Sequence, residues 1–326
     1  MWTRRAPLSL LALAVALAIA GCSVISVDLT PRIRPLQEQT VEGQGEAKIL
    51  IMELGGVLSD EALPAVLSLG TRPERVPTLV RVREEIKKAT EDKQVRAVVL
   101  RINSPGGTVT ASDIIFHELD AFRRAAKVPI VAVMMDLAAS GGYYVALAAD
   151  TIVAHPTTVT GSIGTIMIGV NAQGLLDKLG LSPTTIKSAE HKDMGSPFRT
   201  LTPDERAIFQ SVIDEMHRQF VAKVADRRRL PLEKAQALAN GQVYTAPQAL
   251  ANGLIDRIGY MPDALEVARR AAGVREARVV VYHRPREYRA TYYARAEASA
   301  GGLETTLAQF AALAGSGPRF FYLWWP

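Results

Sequence analysis

The sequence predicts an α/β fold in which parallel strands are joined by helical crossovers, and three observations carry that prediction. The runs Val95–Ile102 and Val128–Met135 are apolar on both faces, as strands covered by helices on either side must be. Helix-length amphipathic segments separate these runs, so the order strand, helix, strand, helix, strand calls for right-handed crossover units. Both runs end in small-residue turns, NSPGG and AASGG, at the sheet edge where ligands gather in such folds.

The chain has 326 residues, 48% hydrophobic and 22% charged, enough to bury one large core or two small ones. Its formal charge of +5 is spread through amphipathic segments apart from Arg227, Arg228 and Arg229, which reads as solvated surface. No phosphate-binding loop, zinc-ligand spacing or aromatic-laced basic stripe is present, so nucleotide, metal and nucleic-acid partners are not expected.

The elements follow in order. Arg4 and Arg5 precede an apolar run, Ala6–Ala20, that ends in Gly21 and Cys22, the pattern of a secretory leader. A single cysteine directly after I-A-G resembles the bacterial lipobox, so Cys22 is expected to be lipidated and residues 1–21 to be a lipoprotein-type signal peptide. The alternative is an uncleaved span, because apolar character extends to Val27. Either route leaves the rest of the chain exported and tethered to membrane lipid. One thiol excludes an internal disulfide.

Residues 22–46 read as a polar, membrane-proximal spacer, residues 47–283 as the α/β domain and residues 284–326 as a basic, aromatic tail. The first strand is Ala47–Leu54 and a helix covers Pro77–Asp92 before the strand Val95–Ile102. The turn Asn103–Thr110 leads to a helix, Ala111–Lys127, then to the strand Val128–Met135 and a helix beginning at Tyr143. Short strands punctuated by glycine fill Thr151–Val170, followed by a helix, Ala172–Leu179, a strand, Thr184–Lys187, and a polar loop holding Lys192. A long helix from Thr202 to about Arg228 lines Ile208, Val212, Ile213, Met216, Phe220 and Val224 along one face, for the core or a subunit interface. A short helix within Gln242–Gly253 and a strand, Arg278–His283, close the domain. In the tail, Arg284–Gly302 is expected to be poorly ordered, and the terminal PRFFYLWWP to lie in lipid headgroups or against a neighbouring subunit.

Ser140 is the candidate nucleophile. It sits at a strand-to-helix turn among Ala138, Ala139, Gly141 and Gly142, where small neighbours admit a carbonyl and helix amides face developing charge. An ordinary N-cap would look the same in isolation. The second glycine turn changes the weighing: amides of Gly106 or Gly107 together with Gly141 could form an oxyanion hole, each donor typically worth about 3 to 4 kcal/mol. A serine needs a base. His117 and His217 fall in predicted helices, His283 near a strand end, and His155 precedes a proline with no carboxylate partner suggested by sequence. Lysine serves when desolvation disfavours its charged form, which leaves Lys187 and Lys192 as candidates.

The segments RINSPGG, DLAASGGYY and IKSAEHKDMGSPFR, with TGSIG between them and GQVYTAPQALANGLID after, together resemble the signal peptide peptidase A family, also called protease IV. The resemblance covers roughly Ala47–Gly259. It implies a Clp-protease or crotonase-like α/β spiral, a nucleophile at Ser140, a general base at Lys192 in preference to Lys187, and Ser162 as the residue that positions the lysine. It also implies a serine endopeptidase without cofactor or metal, acting on signal peptides, and assembly of single-length chains into a ring, as an octamer. The lipobox departs from the family's usual N-terminal span. Two rivals keep the fold: a crotonase-like acyl-CoA enzyme, disfavoured by export, and a non-catalytic lipoprotein scaffold, disfavoured by the intact serine, lysine and glycine turns.

Overall fold

A computed structural model describes residues 35–60, 76–285, 289–294 and 319–324. The leader and Cys22 lie outside the described residues. Among those described, no helix is long and apolar enough to cross a membrane.

The expected parallel sheet forms the centre. Strands β1 (Gln37–Glu42), β2 (Lys48–Gly55), β3 (Val95–Ser104), β5 (Ile130–Ala139), β6 (Thr151–Ala154), β10 (Arg257–Ile258) and β11 (Arg278–His283) run in the spatial order β1-β11-β2-β3-β5-β6-β10. All neighbours are parallel except β1 and β11. Helix α1 (Thr78–Glu91) crosses from β2 to β3, and α2 (Val109–Ala126) crosses towards β5. One face of the sheet buries Leu50, Met52, Val98, Leu100 and Met134 with Ile86, Ile115 and Leu119 of these helices. The other buries Ile49, Val99, Val131 and Val133 with Leu265 and Ala268 of α8 (Met261–Ala271). Burial on both faces is why β2, β3 and β5 read as unbroken apolar runs.

The chain of β5 is shared between two partners. Its first half pairs with β6, and its last residues, Leu137–Ala139, pair with β7 (Val159–Gly161), which in turn pairs with β9 (Val243–Thr245). A second sheet stands over this end of the first: β4 (Gly106–Thr108), β12 (Arg319–Leu323) and β8 (Ile166–Ile168), with β12 in the middle and antiparallel to both.

Remaining helices are α3 (Gly141–Ala146), α4 (Gln173–Lys178), α5 (Pro203–Arg228), α6 (Leu232–Leu238) and α7 (Ala246–Ala251). Thr202 starts α5 with a capping box, its side chain accepting from the Glu205 N–H and the Glu205 carboxylate accepting from the Thr202 N–H. Thr202→Ala is expected to cost about 1 kcal/mol in a denaturant melt.

Several expectations change. The strand expected at Thr184–Lys187 is absent: this stretch is coil, with Ile186 96% exposed, and nothing packs on it to favour a strand. The long helix buries Phe209, Phe220, Val221 and Val224, while Ile208, Val212, Ile213 and Met216 are only half-buried. Part of the spacer is β1, because β11 offers its residues 37–42 a free edge. Gln242–Gly253 is a strand and then a helix, since Thr245 caps α7 through the Gln248 N–H. In the tail, Arg289 is buried on Glu53 at 2.8 Å, and Arg101 donates to the Tyr292 carbonyl at 2.6 Å. Burial alone would raise the Glu53 carboxyl, and Arg101, Arg289 and Arg81 outweigh it to hold the carboxyl below its ordinary range.

Candidate active site

Ser140 closes β5 and caps α3 with φ 52° and ψ −114°. Lys127 and Arg229 also have positive φ, but both are left-handed helix caps. Ser140 lies outside that well, a conformation costing on the order of 1–3 kcal/mol that the surroundings must impose. They do so from both sides: the Ser140 N–H donates to the Gly161 carbonyl at 2.7 Å, and its carbonyl accepts from Tyr144 at 2.8 Å. The hydroxyl is buried and has no hydrogen-bond partner among the described residues. A buried hydroxyl without a partner is costly and calls for an explanation.

Both glycine turns converge here. Gly106, at φ +104°, packs so closely on Gly141 that a Cβ on Gly106 would lie 2.7 Å from the Gly141 nitrogen. That Cβ would also collide with the carbonyl oxygen of Tyr322 on β12. The Gly141 N–H is the first of α3 and has no acceptor within its helix. The Gly106 N–H already donates to Ser104 Oγ at 3.1 Å, and Gly107 lies opposite Tyr322 in the β4 to β12 ladder. On its other edge β4 is held by Leu58, whose N–H donates to the Gly106 carbonyl and whose carbonyl accepts from Thr108.

Ser162 follows β7 as Ser140 follows β5, and Ala139 is paired with Gly161, so the two serines leave adjacent strands at the same level. Ser162 also has positive φ, 49°, with its N–H donating to the Gln242 carbonyl. The two lysines are distinguished by their partners. Lys187 is tied down, its ammonium 2.7 Å from Asp193 and from the Glu190 carbonyl. Lys192, in a 3₁₀ turn (Glu190–Asp193), is exposed and makes no side-chain hydrogen bond or ion pair among the described residues. It stands outside hydrogen-bond distance of Ser140 within this chain, because the serine hydroxyl has no partner.

The loop holding Lys192 is pinned at its base. Arg199 bridges Asp193 at 2.8 Å and Glu205 at 2.8 Å. Hydrogen bonds from Arg199 and then Lys187 hold the Asp193 carboxyl well below the usual range, and Arg199 with the Thr202 N–H lowers Glu205 to about 2. A carboxyl depressed on folding stabilises above its unfolded value, near pH 4, and loses that contribution as pH falls through the lower folded value. Protection of this loop from proteolysis is therefore expected to be constant from neutral pH down to about pH 4 and to fall only in stronger acid. Earlier loss, detected by limited proteolysis, would show that the bridge does not hold the loop.

Three participants were not foreseen. Ser104 bonds the Gly106 N–H and donates to the Gly56 carbonyl at 2.6 Å, shaping the turn. Ser112 packs its hydroxyl under Gly141, where a Cβ would strike it. The third is β12. Its aromatic composition was legible, but a strand paired across 215 residues (Gly107 to Tyr322) leaves no local signature.

A buried serine on a strained strand-to-helix turn, beside the first amide of a helix and packed against a glycine turn, resembles the arrangement of the serine hydrolases built on α/β folds. Comparison with known proteins narrows this class. The profile of peptidase family S49 matches residues 122–275, and that of Clp protease matches residues 81–160. A protein designated signal peptide peptidase SppA from Enterococcus faecium is 35% identical over 246 residues, which are 76% of this chain and 70% of that protein. A protein designated a protease from Synechocystis is 42% identical over 187 residues, 57% of this chain and 67% of that one. Protease 4 of Salmonella typhi is 38% identical over 192 residues, 59% of this chain and 31% of that protein. The chain belongs to the signal peptide peptidase A family, peptidase family S49. It is a serine peptidase with a Clp-type α/β fold.

Proposed function

We propose that this chain is a membrane-tethered endopeptidase that degrades signal peptides and other apolar peptides through Ser140 and Lys192. The observation that carries this reading is the buried, unpartnered hydroxyl of Ser140 in a conformation that only its surroundings sustain. In the reaction a desolvated lysine amine removes the serine proton as Oγ bonds to the peptide carbonyl carbon, and the charge on oxygen is met by the Gly141 amide with the Gly106 and Gly107 turn. The C–N bond then breaks, the lysine ammonium gives its proton to the leaving amine, and a water deprotonated by the same lysine hydrolyses the acyl-enzyme. Ser162, one strand away, holds the amine in this reading.

Lys192 reaches Ser140 from a second copy of the chain. Residues 177–192 are all exposed, and the surface around them carries Leu175, Leu179, Leu181, Ile186 and Phe198, each roughly half exposed or more. That much apolar surface on a projecting segment suits a contact between copies. Ring assembly, as the octamer that the family resemblance implies, provides such a neighbour through heterologous contacts. Cys22, or an uncleaved leader, anchors the assembly at the extracytoplasmic face of a bacterial membrane.

The test is complementation with a quenched apolar peptide. Ser140→Ala and Lys192→Ala proteins, each inactive alone, are expected to regain activity when unfolded together and co-refolded, because mixed rings contain neighbours that pair an intact serine with an intact lysine. Failure of mixed, correctly assembled rings to recover any activity would show that the dyad does not form between copies. Lys187→Ala should keep activity.

A further inference from the structure

We infer that Asn103, Thr158 and Thr160 are positioning residues that set the height of Ser140 along the sheet, by holding two surplus residues of β5 in place just before it; this rests on the peptidase reading of Ser140. Along β3 and β5 the register runs evenly from Val98 opposite Ile130 to Ile102 opposite Met134. The next pair is Ser104 opposite Ala138, so three residues of β5, Met135, Asp136 and Leu137, stand against Asn103 alone. On its other edge β5 stops pairing with β6 at Met134 and resumes with β7 at Leu137. Met135 and Asp136 are therefore paired on neither side, and this bulge carries the strand from one partner to the other.

The surplus decides what Ser140 meets. Ser140 lies two residues past Ala138 and Gly106 two past Ser104, so this register brings the serine level with the glycine turn. In an uninterrupted register Asp136 would face Ser104, and Ser140 would overshoot the turn by two residues, roughly 7 Å at the rise of a strand. The turn could not then serve an oxyanion formed at the serine, because such donors act within about 3 Å.

A bulge takes backbone groups out of the ladder, and inside a protein they need other partners. Three side chains supply them. Asn103 Oδ1 accepts from the Leu137 N–H at 3.0 Å. The Thr158 hydroxyl donates to the Met134 carbonyl at 2.9 Å and also reaches that of Met135. The Thr160 hydroxyl donates at 2.6 Å to the carbonyl of Ala138, two residues before the nucleophile. Both threonines are buried, away from bulk water, whereas Asn103 is half-buried. Valine has the shape of threonine without the donor, so it tests the hydroxyl and not the packing.

The experiment separates position from stability. Peptide cleavage, the rate of capture by a fluorophosphonate and the denaturant midpoint are measured for Thr160→Val and Asn103→Ala. Beside them stand Thr160→Ser and Asn103→Asp, which keep a donor and an acceptor at the same places. Misplacing the nucleophile is expected to lower kcat about 10- to 100-fold in the first pair. KM should stay within about twofold, and the capture rate should fall in step with kcat. The second pair should recover most of both rates. Hydrogen exchange should quicken over residues 135–139 in the first pair and stay unchanged over β3. If Thr160→Val does not fold, the half-buried Asn103 carries the test. Wild-type kcat in folded Thr160→Val or Asn103→Ala with only a lowered midpoint overturns the inference, as does an equal loss of rate in both pairs. Exchange as expected, in a protein whose wild type neither cleaves peptides nor captures the probe, upholds the hold on the bulge and sinks the peptidase reading instead.

Discussion

Ser140→Ala is expected to remove peptide cleavage, lowering kcat by at least about 10³-fold, without lowering stability. The two halves of that expectation come from one observation. The hydroxyl makes no hydrogen bond among the described residues, so its loss removes no stabilising contact there and relieves a buried polar group of its desolvation cost. A residue that only capped α3 would behave in the opposite way, with lower stability on replacement and little change in rate. Measuring kcat beside a denaturant midpoint separates the two. Lys192→Ala should match the loss in rate, again without a fall in stability, since its amine has no partner among the described residues.

Gly106→Ala is the second large effect. At φ +104° an added methyl is strained whatever the space around it, and here it also meets the Tyr322 carbonyl and comes within 2.7 Å of the Gly141 nitrogen. These neighbours are backbone, so neither can turn away. The expected result is a loss of at least about 100-fold in kcat/KM, with destabilisation on the order of 1–3 kcal/mol from the forced backbone conformation. Gly56→Ala is a useful control: it has the same sign of φ, 69°, but nothing within 4 Å of the added methyl. Strain without collision should cost stability and leave most of the activity. If both variants lose activity equally, close packing at Gly106 is not what the site requires.

The sheet was legible because its strands obey one rule at a time. β2, β3 and β5 are buried on both faces, so their apolar runs reported both their existence and their covered position. Ser140 and Gly106 were legible for a related reason, since small residues at the carboxyl ends of adjacent parallel strands are brought together by topology alone. The relation between Ser140 and Lys192 was not. Lys192 is exposed on a projecting segment, and the pattern of a sequence cannot state which molecule such a segment touches. The strand expected at Thr184–Lys187 failed for the same reason: β-branched residues favour a strand only where a sheet is there to receive them. Conversely, β12 found such a sheet. FFYL has the composition of a strand, yet its partners, Gly106–Thr108 and Ile166–Ile168, are too short to announce themselves.

The central claim is that Ser140 is the nucleophile, and covalent capture tests it most directly. The full chain is treated with a fluorophosphonate in detergent, then mapped by peptide mass spectrometry. A single adduct is expected, on Ser140, slowed strongly by Lys192→Ala and absent from Ser140→Ala. An adduct on another serine, or a protein that cleaves peptides while Ser140 stays unmodified, would contradict it.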